Sequence, residues 1–195
     1  MMPRLAVFAS GSGSNAQRII EYFSLHPTVA IPVILCNKPD AFVLKRAELL
    51  GVPSVVFNRT SLYDTGFVEK TLRSFAIDYI ILAGFLWLVP QSLLAAYPGR
   101  IINIHPALLP KYGGKGMYGM KVHEAVIASG DHESGITIHH VDAHYDEGRV
   151  IYQAKCPVDK GDTPDMLAAK IHDLEYRYYP EVIEKIVLGN SAVSK

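Results

Sequence analysis

The sequence predicts an α/β fold in which a Rossmann-like, doubly wound and mostly parallel sheet gains antiparallel strands near its C-terminal end. Short runs rich in Val, Ile and Leu recur along the first half of the chain, separated by segments with helical spacing. These runs are apolar throughout, which is typical of strands that are covered on both faces. The predicted strands of the parallel part span residues 5–9, 30–36, 54–57, 79–83 and 101–104.

Helices are expected between these strands, because apolar residues recur there every three or four positions. The first helix has a serine or an asparagine, Ser14 or Asn15, in position to cap it. The other helices are expected over residues 41–50 and 67–74, and from Pro90 onward.

The pattern changes in the last third of the chain. Residues 134–141 and 150–158 are predicted to be two strands of an antiparallel hairpin, because a polar, turn-forming segment joins them. A final amphipathic helix starts near Pro164, and we expect Pro180 to kink or restart it before it ends at Gly189. No repeat, low-complexity tract or linker interrupts the chain, so residues 1–195 are expected to form a single domain.

Composition limits the classes of partner. The chain has 195 residues and is 49% hydrophobic, which is enough to bury a sizeable core. Nineteen basic side chains balance nineteen acidic ones, so we expect neither a nucleic acid nor a membrane as a partner. Cys36 and Cys156 form no Cys-x-x-Cys pair, and the first apolar run is shorter than that of a secretory signal. These features predict a cytoplasmic protein with reduced thiols.

A glycine-rich segment, Ser-Gly-Ser-Gly-Ser-Asn at residues 10–15, follows the first predicted strand and opens the first helix. Backbone N–H groups and the helix dipole favour an anion at such a place, and a phosphate is the natural ligand. The segment also loosely matches the dinucleotide fingerprint, although no acidic residue follows the second strand to hold a ribose. A serine-glycine turn with a purely structural role is the alternative.

Asn103 and His105 interrupt an otherwise apolar run. If this run is a strand, side chains two residues apart point to the same face, so the amide and the imidazole project together. Ligands bind beyond the carboxyl ends of strands in a doubly wound sheet, so the pair and the glycine-rich segment are expected to share a cleft. The alternative is a hydrogen-bonded histidine at a strand end beside an asparagine that caps a turn.

A second polar cluster alternates along the sequence as His140, Asp142, His144 and Asp146. On an extended strand these four side chains would share a face, as the ligands of a metal ion do. A solvated polar hairpin explains the same residues without a ligand, and we expect no metal site. A carboxylate brought beside His105 would favour the cationic ring and raise its pKa.

Several motifs together resemble one family, the folate-dependent glycinamide ribonucleotide formyltransferases, and they cover nearly the whole chain. The motifs are SGSGSN at 10–15, LAGF at 82–85, NIHPALLPKY at 103–112, GITIHHVDAHYDEGRVIYQ at 135–153 and LEYRYYP at 174–180. The Asn-x-His and Asp-x-Gly parts are shared by the enzymes that use 10-formyltetrahydrofolate. The serine-glycine segment and the short length are similar to those of the purine enzymes.

The resemblance implies a formyltransferase fold and a reaction in de novo purine (IMP) biosynthesis. In that reaction the formyl group of 10-formyltetrahydrofolate, a co-substrate, passes to the amine of 5-phosphoribosyl glycinamide without a metal. By the same resemblance, Asn103 and protonated His105 stabilise a tetrahedral intermediate. Asp146 raises the pKa of His105 and helps to order a water that relays the proton.

The resemblance also assigns the binding residues. Those for phosphoribosyl glycinamide are Gly13, Ser14, Asn15 and Glu175. Those for the folate are Leu86, Trp87, Leu88, Val89, Asn103 and Val141. Trp87 stands where many relatives carry arginine. The glycine-rich residues 113–119 depart from the family pattern, so we expect a mobile lid there and assign it no ligand contact. The expected partners are small-molecule substrates, and the expected state is a monomer or a weak homodimer.

Two other hypotheses remain open at the level of sequence. The first is another formyl-group enzyme that acts on methionyl-tRNA, on a sugar nucleotide, or on formyl-folate by hydrolysis. The tRNA enzymes and the hydrolases carry an added domain for which this sequence offers no segment. The second is a non-enzymatic nucleotide-binding module, which would explain the glycine-rich segment but not Asn103, His105 and Asp146.

Overall fold

Seven strands form one sheet in the computed structural model, which describes residues 2–189. The strands are β1 (Arg4–Ala9), β2 (Ala30–Cys36), β3 (Ser54–Val56), β4 (Tyr79–Leu82), β5 (Ile101–His105), β6 (Glu133–His140) and β7 (Val150–Pro157). Their order across the sheet is β3-β2-β1-β4-β5-β6-β7. Strands β1 to β5 pair in parallel, whereas β6 is antiparallel to β5 and β7 is antiparallel to β6. The predicted sheet, including its antiparallel addition, is confirmed.

Helices cover both faces of this sheet. Successive side chains of its central strands point to opposite faces, so each face presents apolar side chains that the helices bury. They are α1 (Ser14–Leu25), α2 (Phe42–Leu49), α3 (Arg59–Tyr63), α4 (Phe67–Ser74), α5 (Gln91–Ala96), α6 (Met120–Ser129) and α7 (Pro164–Val187). Leu5 and Val7 pack with buried residues of α1, α2, α6 and α7, and Ala6 and Phe8 pack with those of α3, α4 and α5. Within residues 2–189, none of these helices has the length and apolarity needed to cross a membrane.

Some helix boundaries differ from the predicted ones. The cap of α1 is Gly13, so the prediction of Ser14 or Asn15 as the cap was wrong. Helix α7 begins after Thr163, whose side chain accepts a hydrogen bond from the N–H of Met166, and it continues through Pro180. Helices α3 and α6 were not predicted. Helix α3 is only five residues long. Helix α6 follows a glycine-rich segment that gives no sequence signal for the start of a helix.

The strand order places the candidate site. From β1 the chain moves outward through β2 and β3, and then returns to the other side of β1 with β4 and β5. This reversal leaves a crevice at the carboxyl ends of β1 and β4, where ligands bind in open α/β sheets. The glycine-rich segment follows β1, and Asn103 and His105 lie at the end of β5, so both reach this edge.

Candidate active site

The glycine-rich segment forms a turn whose backbone N–H groups begin α1. Gly13 has a φ of +75°, a conformation that glycine adopts readily, and a Cβ there would overlap the side chain of Val43. No side chain accepts a hydrogen bond at this helix start within the described residues. The free N–H groups and the helix dipole together favour an anion such as a phosphate.

Two residues predicted to bind the same ligand meet beside this turn. The side-chain amide of Asn15 donates to Oε2 of Glu175 at 2.9 Å, although 160 positions separate the two in sequence. Nδ1 of His172 lies 2.9 Å from the same carboxylate oxygen. This hydrogen bond raises the pKa of His172 above its ordinary value. The buried carboxylate of Glu175 is therefore held in place from both α1 and α7.

The loop after β4 carries the residues assigned to the folate, and Ser10 fastens it to the glycine-rich turn. The N–H of Leu86 donates to Oγ of Ser10 at 3.0 Å, and the N–H of Ser10 donates to the carbonyl of Gly84 at 3.1 Å. Val89 is buried and Leu86 is exposed. Hydrogen bonds thus fix the loop after β4 to the segment after β1.

An aromatic surface lines this same region. The ring of Trp87 packs edge-on against Phe57 and Phe85, and the guanidinium of Arg59 lies 4.9 Å from the centre of the indole. Val141, which precedes the loop to β7, packs on the same apolar cluster as Trp87. The structure therefore brings the two predicted parts of the folate surface to one place. Flat apolar walls of this kind suit a conjugated ring system.

Asn103, His105 and Asp146 converge next to this surface, as the sequence predicted. Nδ1 of His105 lies 3.5 Å from Oδ2 of Asp146, and Nδ2 of Asn103 lies 3.5 Å from Oδ1 of the same carboxylate. His139 completes the cluster, because it pairs in register with Asn103 across β5 and β6. Its Nε2 lies 3.1 Å from Nδ2 of Asn103 and 3.6 Å from Oδ1 of Asp146.

Burial controls the protonation of His105, which is 4% exposed. Its Nε2 donates to the carbonyl of Tyr112 at 2.7 Å. Loss of hydration lowers the pKa of His105, whereas the charge of Asp146 and the Tyr112 carbonyl act in the opposite direction. The net pKa lies below the ordinary value of histidine. Asp146 therefore favours the cation, as predicted, although burial outweighs its effect, and the protonated His105 of the predicted mechanism stays a prediction.

Asp146 is held as a carboxylate by its surroundings. Burial alone would raise its pKa, but the charge of His105 and the N–H of Gly114 lower it. That N–H donates to Oδ2 of Asp146 at 3.0 Å. Asp146 has a φ of +59°, a left-handed conformation that aspartate tolerates better than most residues. The loop backbone thus aims this side chain at His105.

The predicted alternation of histidine and aspartate after β6 does not persist in space. Strand β6 ends at His140, and a loop with turns carries Asp142 and Asp146 before β7 begins. Asp142 accepts a hydrogen bond from the N–H of His144, and Nε2 of His140 lies 3.2 Å from Arg149. Among residues 2–189, no three His, Cys, Asp or Glu side chains are grouped so that they could hold a metal ion.

Ser10, Tyr112, Gly114 and His139 are among the residues of the site that were not singled out in the sequence. Ser10 and Gly114 lie in glycine-rich segments, where spacing carries no information about a partner elsewhere in the chain. His139 was noted only as part of a histidine-rich stretch. Its place opposite Asn103 depends on the register between β5 and β6, which an isolated sequence pattern does not supply.

The arrangement unites three chemical capacities in one crevice. The turn before α1 offers N–H groups to an anion, and the loop after β4 offers an aromatic wall. The site also holds an amide donor and an imidazole, each 3.5 Å from an oxygen of the same carboxylate. Such a group can stabilise an oxygen that gains negative charge and can move a proton during acyl transfer.

Comparisons with known proteins agree with this geometry. The model of the family described as formyl transferase matches residues 3–183. The chain therefore belongs to the formyl transferase family.

Its relatives include phosphoribosylglycinamide formyltransferases from plants and bacteria. The chain is 45% identical over 190 residues to the chloroplastic phosphoribosylglycinamide formyltransferase of Vigna unguiculata, covering 94% of this chain and 60% of the relative. It is 37% identical over 199 residues to the Bacillus subtilis (strain 168) phosphoribosylglycinamide formyltransferase, covering all of both chains. A crystal structure of glycinamide ribonucleotide transformylase 1 from Symbiobacterium toebii superimposes with a TM-score of 0.88 at 34% identity, covering 96% of this chain and 89% of that one. This chain thus spans less than two thirds of the length of the plant relative.

Proposed function

We propose that this chain is an enzyme that transfers the formyl group of 10-formyltetrahydrofolate to the amine of 5-phosphoribosyl glycinamide, a step of de novo purine (IMP) biosynthesis. The convergence of Asn103, His105 and Asp146 between an anion-binding turn and an aromatic wall is the observation that carries this proposal. The family and the names of the relatives support it. We also propose that the chain acts as one domain, in the cytoplasm, as a monomer or a weak homodimer.

The glycinamide substrate would bind along the start of α1. Its phosphate would accept hydrogen bonds from the backbone at Gly13, Ser14 and Asn15, where the helix dipole is favourable. The carboxylate of Glu175, held by Asn15, would accept from the ribose hydroxyls or from the glycinamide. These contacts would direct the amine towards Asp146 and His105.

The folate would lie against residues 86–89 and Val141. Leu86, Trp87 and Val141 offer apolar contacts, and the backbone of Leu88 and Val89 would offer polar ones. The fit is supported by the half-buried indole of Trp87 beside Phe85, which provides a flat wall for a conjugated ring. The bound folate supplies an activated formyl carbon whose oxygen becomes negatively charged when the amine attacks.

The chain's own donors would then stabilise this oxygen. Nδ2 of Asn103 carries two hydrogens, one directed at His139 over 3.1 Å and one at Asp146 over 3.5 Å. The contact with Asp146 is long, so the amide hydrogen of Asn103 that points towards Asp146 is the one available to the substrate oxygen. Protonated His105 would stabilise this oxygen through its positive charge, and Asp146 favours that form. Asp146 would also orient a water that carries the proton from the attacking amine to the folate nitrogen, so that the bond between this nitrogen and the formyl carbon breaks and tetrahydrofolate leaves.

A formyl-transfer assay with the full chain tests the proposal. Wild-type protein incubated with 10-formyltetrahydrofolate and phosphoribosyl glycinamide should release tetrahydrofolate, followed by absorbance, in proportion to formylated product. Replacement of one donor, Asn103→Ala, should lower kcat by about 10²–10³-fold, the range for one oxyanion donor. His105→Ala and Asp146→Asn should lower kcat by orders of magnitude while the affinity for phosphoribosyl glycinamide survives.

An exposed histidine outside the cleft gives the matched control. His132→Ala removes a ring of the same type and should leave kcat near the wild-type value. Release of tetrahydrofolate without the acceptor amine would indicate a hydrolase, and formyl transfer to methionyl-tRNA alone would indicate the other class of transferase. Either result, or near-native kcat in Asp146→Asn, would refute the proposed reaction.

A further inference from the structure

His139 is a buried imidazole at the centre of the site for which the proposed reaction has no use. It is 2% exposed and stands directly opposite Asn103 in the antiparallel pair of β5 and β6. Side chains of such a pair lie on one face of the sheet, close enough to form a hydrogen bond. Any movement of this ring therefore affects the Asn103 amide.

The hydrogen bonds of His139 define which of its nitrogens carries the proton. Nδ1 lies 2.9 Å from the carbonyl of His140, and a carbonyl can only accept, so Nδ1 is the donor. In the neutral ring Nε2 then has a lone pair. The atom of Asn103 that lies 3.1 Å from Nε2 must therefore be a donor. This atom is the side-chain amide nitrogen and not the oxygen.

The second neighbour of Asn103 requires the same orientation. Oδ1 of Asp146 lies 3.5 Å from Nδ2 of Asn103, and a carboxylate oxygen repels an amide oxygen but attracts an N–H group. Only the imidazole makes the short contact. His139 is thus the stronger constraint on the direction of the amide.

We infer that His139 is a positioning residue, which fixes the Asn103 amide so that one N–H faces His139 and the other is directed at the site of formyl transfer. The inference rests on the proposed function for its catalytic consequence. Without the lone pair on Nε2, the amide can rotate and present its oxygen where a donor is needed. An acceptor at that place would repel the developing negative charge instead of stabilising it.

The charged and titratable groups around His139 fit this role. Asp146 faces Nε2 from the loop after β6, and His105 faces the same carboxylate from β5. On the strand of His139 itself, the ring of His140 interacts with Arg149 and not with Asn103.

A double-mutant cycle separates positioning from a general structural role. His139→Phe keeps a flat ring and removes both nitrogens, and it should lower kcat by up to the same 10²–10³-fold as Asn103→Ala, with KM for both substrates nearly unchanged. In an Asn103→Ala background, His139→Phe should cause only a further change of about threefold or less, because the residue through which it acts is already gone. His140→Phe is the matched control, and its effect should be the same in both backgrounds.

A measurement independent of activity distinguishes this inference from the proposed function. In NMR spectra, one side-chain N–H proton of Asn103 should exchange slowly with solvent in the wild type and quickly in His139→Phe. This loss is expected even if no formyl acceptor is found. Multiplicative losses of kcat in the double mutant, near-native kcat in His139→Phe, or unchanged exchange of the Asn103 amide would each overturn the inference.

Discussion

The protonation of His105 is a balance between burial and one carboxylate. Its two ring nitrogens face the Tyr112 carbonyl and Asp146, so both neighbours accept hydrogen bonds, and the cation would satisfy both of them. Loss of hydration nevertheless outweighs these contacts and keeps the pKa low. Because Coulomb attraction grows as charges approach, a shorter distance between His105 and Asp146 would shift the balance towards the cation. The site is therefore sensitive to movements of the loop that carries Asp146.

A second buried histidine, His123 on α6, is predicted to make folding sensitive to acid. It is 3% exposed, and its Nδ1 has no hydrogen-bond partner among the described residues. Burial lowers the pKa of His123, while Glu175 opposes this and His172 and His105 add to it. The unfolded chain therefore binds a proton more readily, so the stability that neutral His123 contributes is present above about pH 6.5 and is lost as the pH falls below it.

Replacement of this ring by an apolar side chain should reduce that sensitivity. The drop in Tm between about pH 7.5 and pH 5.5 should be smaller in His123→Leu than in the wild type, because leucine has no proton to gain. His132→Leu, at an exposed position, should not reduce the drop. Thermal unfolding followed by circular dichroism measures both. An equal drop in Tm for His123→Leu and the wild type would contradict the prediction that His123 makes folding sensitive to acid.

At the scale of single residues, the sequence predicts which side chains form the site better than it predicts the surroundings of those side chains. Spacing placed Asn103 and His105 on one face, and family resemblance supplied Asp146 as their partner. The net pKa of His105 was beyond the sequence, because desolvation depends on every segment that covers the ring. The role of His139 was likewise hidden, since it follows from strand register and from the carbonyl that its Nδ1 contacts.

The start of α1 depends on a glycine, and this gives a prediction for the whole element. Gly13→Ala would place a Cβ at a φ of +75° and against the side chain of Val43 on α2. Strain and overpacking of this kind cost roughly 1–3 kcal/mol each, so Tm should fall by several degrees. The first N–H groups of the helix would shift as well. We therefore expect calorimetry to show at least about a tenfold loss of affinity for phosphoribosyl glycinamide.

Gly11 provides the control for this element. Its φ is not positive, and a Cβ there would have no heavy atom within 4 Å. Gly11→Ala should therefore leave Tm close to the wild-type value. A Gly13→Ala protein with wild-type Tm and affinity would show that the left-handed turn is not required for the anion site.

Long and periodic elements were predicted well, whereas short ones were not. Helix α4 has the predicted bounds, and the strands of the sheet differ by about one residue at their ends. Helix α3 is too short for an apolar period to develop. Helix α7 passes through Pro180 because packing on the sheet buries that residue and its neighbours, which outweighs the loss of one backbone hydrogen bond.

On the scale of the whole molecule, α7 connects the parts that carry the site. It packs against α1, α6 and the strands β5, β6 and β7, and it brings Glu175 to the start of α1. One side chain ties it to the parallel sheet directly. The hydroxyl of Tyr179, which is fully buried, lies 2.9 Å from the carbonyl of Leu82 on β4 and 3.2 Å from that of Ile102 on β5.

Loss of this hydroxyl should weaken the molecule as a whole. Tyr179→Phe keeps the ring but leaves two buried carbonyls without their shared donor, at a cost of roughly 1–3 kcal/mol in the free energy of unfolding. For a chain of this size, Tm should fall by about 2–4 °C for each kcal/mol, in one cooperative transition. Tyr176→Phe on the same helix is the control, since the Tyr176 hydroxyl makes no hydrogen bond within residues 2–189 and its removal should barely change Tm. Equal Tm values for the two variants would mean that apolar packing alone holds α7 on the sheet, because the hydroxyl is the only difference between tyrosine and phenylalanine.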